Sequence, residues 1–127
     1  MSEKATNIYT GITGKAAIDF LILKKEGEVK GAFFHEKIGN IDLVWGKGGE
    51  KGYGLAKILE KHPEAIPNLA QSIAKGKIVE HLNNRVIIIN AFNQQRSIVD
   101  LQFNDTLKSW VVTSYIPLEW LQPTLEN

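Results

Sequence analysis

The sequence has no cysteine among its 127 residues. This absence excludes disulfide bonds, thiolate metal sites and cysteine nucleophiles, and it suits work in the cytoplasm. Long apolar runs are missing too, because the longest, residues 16–23, contains Asp19 and is far shorter than the roughly 20 residues that span a bilayer. The first residues, MSEKATN, lack the basic-then-apolar order of a signal peptide. We therefore expect no membrane association.

The chain has little excess of either charge, with 15 Lys and Arg against 14 Asp and Glu. A protein that coats nucleic acid without reading its sequence would be more basic, whereas an enzyme that grips one or two phosphates needs only a local cluster of cations. The hydrophobic content of 43% is ordinary for a globular protein. We predict one domain over residues 1–127, with its core at about 14–118 and loose ends.

Apolar periodicity predicts three helices and a hairpin in the first part of the chain. The pattern KAAIDFLILKK predicts a helix over residues 15–25, and LAKILEKH predicts another over 55–62. A proline near its start and a glycine past its end favour a third, short helix over 66–74. The apolar runs 29–34 and 41–45 flank a turn and predict a β-hairpin.

The second part of the chain has the texture of strands joined by close turns. The predicted strands cover residues 77–82, 85–92, 97–103 and 110–116. Residues 86–89 have no polar face and are expected in the central strand. The predicted fold class is α+β, with N-terminal helices packed on an antiparallel four-stranded meander and a short N-terminal hairpin beside it.

Three stretches resemble a known family. GNIDLVWG (residues 39–46), GLAKILEKH (54–62) and WVVTSY (110–115) are similar to the barnase, EndoU, colicin and RelE type of nuclease domain found in phage head-associated and toxin-like polyproteins. The resemblance covers residues 14–118, and it extends to the order of helices before sheet. Members of this superfamily differ in which residues carry the chemistry, so the resemblance implies a reaction more firmly than it implies a residue.

The resemblance implies metal-independent endoribonuclease activity, in which the ribose 2′-OH attacks the adjacent phosphorus and leaves a cyclic phosphate. It implies an RNA substrate, with tRNA as one candidate, and a cognate inhibitor or immunity protein as a candidate partner. The site of action would be the cytoplasm, after delivery by phage or secretion as part of a larger protein. The competing hypothesis is a non-catalytic module that binds RNA or protein in a phage particle or toxin system.

His62 is the first candidate for proton transfer, because it ends the family-like stretch GLAKILEKH and stands at a helix C-terminus, where the helix dipole favours its cationic form. It could equally cap the helix carbonyls. His35 is a candidate second proton-transfer group, although a polar strand end is the simpler interpretation. His81 is interpreted as a surface residue.

Three lysines are candidates for binding substrate. Lys57 and Lys61 share a helix face beside His62, where they could hold a phosphate or simply be solvated. Lys108, just before the last predicted strand, is the third. Asp42 and Trp45 are interpreted as structural, Asp42 as a partner for backbone or lysine and Trp45 as a packing anchor.

The last strands supply the remaining catalytic candidates. Arg96 could stabilise the charge that gathers on the phosphorus centre, or could pair with Asp100. Thr113 and Tyr115 project from one side of their strand, with Trp110 on the other, and could donate hydrogen bonds to a phosphate. Both are also ordinary strand residues.

No metal or cofactor is expected. The three histidines are 27 and 19 residues apart, without the close spacing of a metal-binding motif. The glycine-rich segment after Trp45 lacks the GK[ST] ending of a nucleotide-binding P-loop, and no G-x-S-x-G motif is present.

Overall fold

The computed structural model describes residues 7–118. The ends that were predicted to be loose, residues 1–6 and 119–127, lie outside the described residues. In the described part the helices cover one face of a mainly antiparallel sheet, so the α+β class is as predicted. None of the helices within residues 7–118 has the length and apolar character needed to cross a membrane.

The helices match their predicted positions closely. They are α1 (Gly14–Lys24), α2 (Gly54–Lys61), α3 (Leu69–Lys75) and a 3-10 helix (Pro63–Ala65). Lys25 ends α1 in the left-handed conformation, with φ of 57°. The third helix begins three residues later than predicted, because Pro63–Ala65 forms its own tight turn and its backbone bonds do not continue into an α-helix.

Seven strands form a single mixed sheet. They are β1 (Ile8–Tyr9), β2 (Glu28–His35), β3 (Gly39–Val44), β4 (Lys77–Leu82), β5 (Arg85–Asn90), β6 (Gln95–Phe103) and β7 (Thr106–Tyr115). Their order across the sheet is β1-β2-β3-β7-β6-β5-β4. The β1–β2 and β3–β7 pairs are parallel, and the other four pairs are antiparallel.

The prediction of a four-stranded antiparallel meander with a separate hairpin was therefore wrong. Strands β4 to β7 do pair antiparallel in sequence order, but the β2–β3 hairpin joins them edge to edge through β7 and β1 extends the sheet further. The central strand is consequently β7. The apolar residues 86–89 lie in β5, one strand from the edge, with only Val86 and Ile88 buried.

A buried lysine spans the parallel junction between β3 and β7. Asp42 and Trp110 are the residues in register there. The Nζ atom of Lys108 lies 2.5 Å from Asp42 Oδ2 and 2.6 Å from Glu28 Oε2, so one cation joins β2, β3 and β7. The second oxygen of Asp42 accepts a hydrogen bond from Gly31 N at 2.8 Å. The structural role expected for Asp42 is confirmed.

The core lies between the helices and one face of the sheet. Apolar residues of all three helices and of alternate strand positions form one buried cluster. In β6, for example, Gln95, Ser97 and Val99 are buried under the helices, whereas Arg96 and Ile98 are only half-buried on the opposite face. The face that is opposite the helices is therefore the one that can meet a ligand.

Removing the Lys108 charge should destabilise the fold. Lys108→Met leaves the largely buried Glu28 without a cation and Asp42 with only Lys30, at 3.7 Å, so we expect a loss of about 2 kcal/mol in the free energy of unfolding. Urea denaturation measures it. Lys15→Met is the matched control, because Lys15 pairs with Asp19 at an exposed site and should cost less than about 0.5 kcal/mol. Equal losses in the two variants would contradict the role given to Lys108.

The stabilisation that Lys108 contributes should depend on pH in a defined direction. Burial alone would lower the pKa of Lys108, but its hydrogen bonds to Asp42 and Glu28 outweigh burial and raise that pKa above its ordinary value. The stabilisation is therefore complete below the ordinary lysine pKa of about 10.4 and is lost as pH rises through the raised pKa of Lys108. The difference in free energy of unfolding between the wild type and Lys108→Met should therefore be constant from neutral pH upward. It should disappear only in strong base.

Candidate functional site

A β-bulge decides which side chains share the face opposite the helices. Ile98 is in register with Thr113, but the next residue of β6, Val99, is in register with Val111, so Val112 is an extra residue in β7. Trp110 consequently lies on the same face as Thr113 and Tyr115. The predicted alternation, which put Trp110 on the other side, was wrong because one extra residue reverses the faces beyond it.

On this face Trp110, Thr113 and Tyr115 form a row, and His62 lies beside Tyr115 at its end. Its ring centroid lies 5.5 Å from that of Tyr115, and its Nδ1 atom lies 3.6 Å from Glu64 Oε2. Glu64 Oε2 also accepts a hydrogen bond from Ile116 N at 3.4 Å. The side chain of His62 is one third exposed. An imidazole with a carboxylate on one nitrogen and partial access to solvent is an arrangement suited to proton transfer.

Two polar atoms next to this histidine are buried without a partner. Arg96 is in register with Tyr115, and Thr113 stands diagonally from Arg96, two residues along the same face. Within residues 7–118, Arg96 Nε and Thr113 Oγ1 are the buried side-chain atoms that make no hydrogen bond. Burying such donors unpaired costs free energy. Asp100, the alternative partner for Arg96, instead forms an ion pair with Arg85.

The buried amide of Gln95 anchors the turn that carries His62 and Glu64. Its Nε2 atom donates to the carbonyl oxygen of Ala65 and to Ser114 Oγ, both at 2.9 Å. Ser114 Oγ also contacts Ser97 Oγ at 3.0 Å. The 3-10 helix is thus fixed to β6 and β7, which hold Arg96, Thr113 and Tyr115. The site residues therefore sit on rigidly connected elements.

His35 lies outside this cluster. It is buried, its Nδ1 accepts a hydrogen bond from Lys37 N at 3.0 Å, and its Nε2 lies 2.9 Å from the carbonyl oxygen of Gly76. These partners require the neutral ring with its proton on Nε2, which joins the end of β2 to the start of β4. No hydrogen bond within the described part of the chain connects His35 to His62.

The lysine candidates divide between two places. Lys57 and Lys61 follow the last turns of α2 toward His62, and neither forms an ion pair with another of the described residues. Lys108 lies at the β3–β7 junction, with its charge matched by two carboxylates. His81 is exposed on the edge strand β4.

Sequence reasoning missed two residues of the cluster. Glu64 follows His62 after one proline, a spacing that could have suggested a carboxylate beside the imidazole. Gln95 stands at the start of β6 and gave no signal, because a polar residue near a turn is usually exposed. Within residues 7–118, no three acidic or histidine side chains are grouped so as to hold a metal ion.

Comparison with known families gives one match. Residues 32–119, more than two thirds of the chain, match the family described as phage-Barnase-EndoU-ColicinE5/D-RelE like nuclease. The chain belongs to this nuclease family. No curated protein and no solved structure is significantly similar to it. The resemblance found in the sequence is confirmed, and the matched range contains His62, Glu64, Arg96, Thr113 and Tyr115.

Because Thr113 Oγ1 has no hydrogen-bond partner among residues 7–118, its removal should not destabilise the protein. Thr113→Val keeps the shape of the side chain and removes a buried hydroxyl without a partner, so the free energy of unfolding should stay the same or rise by about 1 kcal/mol. Ser114→Ala, one residue away, removes a bonded hydroxyl and should lose about 1–3 kcal/mol. Urea denaturation of both variants measures these changes in the free energy of unfolding. Equal destabilisation would mean that Thr113 Oγ1 has a structural partner after all.

Proposed function

We propose that this domain is a metal-independent endoribonuclease whose active site is formed by His62, Arg96, Thr113 and Tyr115. The observation that carries the proposal is the pair of unpartnered donors, Arg96 Nε and Thr113 Oγ1, on the strand face that ends at His62, whose Nδ1 lies 3.6 Å from Glu64 Oε2. Donors held in place without a protein acceptor are suited to the oxygens of a phosphate. Membership of a nuclease family makes a nucleic-acid phosphate the natural ligand.

The reaction would be an internal transfer. A base removes the proton of the ribose 2′-OH, and the 2′ oxygen bonds to the adjacent phosphorus. The bond from phosphorus to the 5′ oxygen breaks, and that oxygen takes a proton from an acid. The products are a 2′,3′-cyclic phosphate and a free 5′-OH. Every atom comes from the RNA and two protein groups, so the step needs no metal-bound water.

The residues divide these tasks by their chemistry. Neutral His62 accepts the 2′-OH proton through Nε2, while Glu64, on the Nδ1 side, orients the ring and stabilises the imidazolium that forms. Tyr115 supplies the proton to the leaving 5′ oxygen from its hydroxyl, which can act as a donor. Arg96 and Thr113 donate to the two non-bridging oxygens, where negative charge gathers.

Substrate would reach the site along a cationic helix end. Lys57 and Lys61 are one helical turn apart and lead to His62, so they can contact flanking phosphates. RNA is the substrate in this proposal because the attack needs a 2′-OH, and tRNA is one candidate. The domain would act in the cytoplasm as a toxin- or phage-associated effector delivered within a larger protein, with an inhibitor or immunity protein as its partner.

Loss of His62 should abolish cleavage without unfolding the protein. Removing a general acid or base typically lowers the rate by about 10²–10⁴-fold, and His62→Ala should fall in that range. The assay is cleavage of total RNA in excess EDTA, in which the wild type should remain active. His81→Ala is the control, since His81 is exposed on an edge strand and should be unaffected.

Two results would overturn this proposal. Full activity of His62→Ala together with loss in His35→Ala would move the site to the end of the β2–β3 hairpin. Absence of RNA cleavage by the wild type, with or without divalent metal, would favour the non-catalytic binding module instead.

A further inference from the structure

A cavity opens on the surface at the β3–β7 junction. It is a cleft of about 470 Å³, and its walls include Glu28, Trp45, Tyr53, Phe103, Lys108 and Trp110. None of these residues belongs to the His62 cluster. Four of the eleven residues that line it are aromatic, and aromatic side chains are common in ligand clefts.

The aromatic rings have a fixed arrangement. Trp110 lies at the centre, with the ring centroids of Tyr53 and Phe103 each 5.7 Å from it and their planes turned by 78° and 90°. The indole Nε1 of Trp110 donates to the carbonyl oxygen of Gln102 at 3.1 Å, which holds that ring in place. Phe103 is 43% exposed, so a ring face remains open to an incoming molecule.

The charges in the cleft do not favour a phosphate. Lys25 and Lys108 are the cations that line it, and Glu28 and Asp42 already neutralise Lys108. Glu26 adds a carboxylate at the rim beside Lys25. A phosphate would therefore meet as much negative as positive charge. An open aromatic face among balanced charges suits a planar, uncharged ring system.

The cleft and the candidate active site lie along the same face of β7. Because of the bulge at Val112, Trp110, Thr113 and Tyr115 occupy one face of β7 in succession. Five residues of strand place Trp110 about 15 Å from Tyr115. An extended single strand whose phosphate lies at Arg96 and Thr113 can follow β7 and place a neighbouring base over the exposed ring of Phe103.

We propose that this cleft is a nucleobase subsite, in which the exposed ring of Phe103, held edge-on against the buried Trp110, stacks a base of single-stranded RNA a few nucleotides from the cleaved bond. The subsite rests on the proposed nuclease function for its role, and it binds through base stacking rather than through phosphate contacts. Aromatic stacking tolerates every base, so this subsite contributes affinity and sets the path of the strand, with little sequence preference.

Tryptophan fluorescence tests the subsite directly. Trp45 and Trp110 line the cleft, and the third tryptophan of the chain is removed as Trp120→Phe so that the signal comes from the cleft. The probe is a 2′-O-methyl adenosine octamer, which cannot be cleaved by 2′-OH attack. The matched ligand is an abasic octamer of the same length, which keeps the phosphates and lacks the bases. The adenosine octamer should quench the fluorescence, and the abasic octamer should not.

Two variants at Phe103 and one control identify the ring responsible. Phe103→Ala should weaken octamer binding by about 5- to 100-fold, the range expected for loss of one stacked base. Phe103→Leu keeps apolar bulk against Trp110 and should weaken binding in the same direction, which guards against a folding defect. Phe34→Ala removes another exposed phenylalanine, which lies outside the cleft, and should stay within twofold of the wild type.

Steady-state cleavage separates this proposal from the nuclease proposal. Phe103→Ala should raise KM and leave kcat unchanged, because the subsite binds without touching the reacting atoms. Cleavage by the wild type with no quenching by the adenosine octamer, or with equal quenching by the abasic octamer, would overturn the subsite alone. Quenching that depends on Phe103 in a protein that cleaves no RNA would support the base-binding cleft and overturn the nuclease proposal.

Discussion

The bridge from Lys108 to Asp42 and Glu28 is the interaction on which the rest of the structure depends. β3 and β7 share a single residue pair in register, so backbone pairing alone gives little reason for the two halves of the sheet to join. One largely buried ammonium that is held between carboxylates of β2 and β3 supplies that reason. Without it, the β2–β3 hairpin and the four-stranded antiparallel part would be joined only by that residue pair and by helix α2, which packs on both β3 and β7.

The junction also positions the site. β3 leads, through a short loop closed by the Lys47–Tyr53 bridge, into α2, which packs against β7. The C-terminal end of α2 therefore places His62 beside Tyr115, and Gln95 fixes the following turn to the sheet. These contacts bring together one site residue from a helix end and three from neighbouring strands. The aromatic cleft lies further along β7.

The sequence predicted what local patterns determine. The helices α1 and α2 and the strands β4 to β7 follow from apolar periodicity and turn residues close by in the chain. The parallel β3–β7 pair could not be predicted in that way, because its determinants, Asp42 and Lys108, are 66 residues apart and are of the type normally found on surfaces. The bulge at Val112 has no characteristic residue type that would reveal it in the sequence, yet it places Trp110 on the same face as Thr113. His62, Arg96, Thr113 and Tyr115 were predicted as candidates from the family resemblance and strand parity, whereas Glu64 and Gln95 act through tertiary contacts that no local pattern encodes.

The chemical identity of the cleavage products tests the central claim most directly. An RNA oligonucleotide that the domain cuts at one position is prepared with a single 2′-O-methyl group on the nucleotide that precedes the cut. Mass spectrometry of the unmodified substrate should reveal a 2′,3′-cyclic phosphate and a 5′-OH, and the modified substrate should remain intact at that bond. Products that carry a 5′-phosphate, or cutting at the modified nucleotide at an unchanged rate, would contradict the account, because either result requires water rather than the 2′ oxygen as the nucleophile.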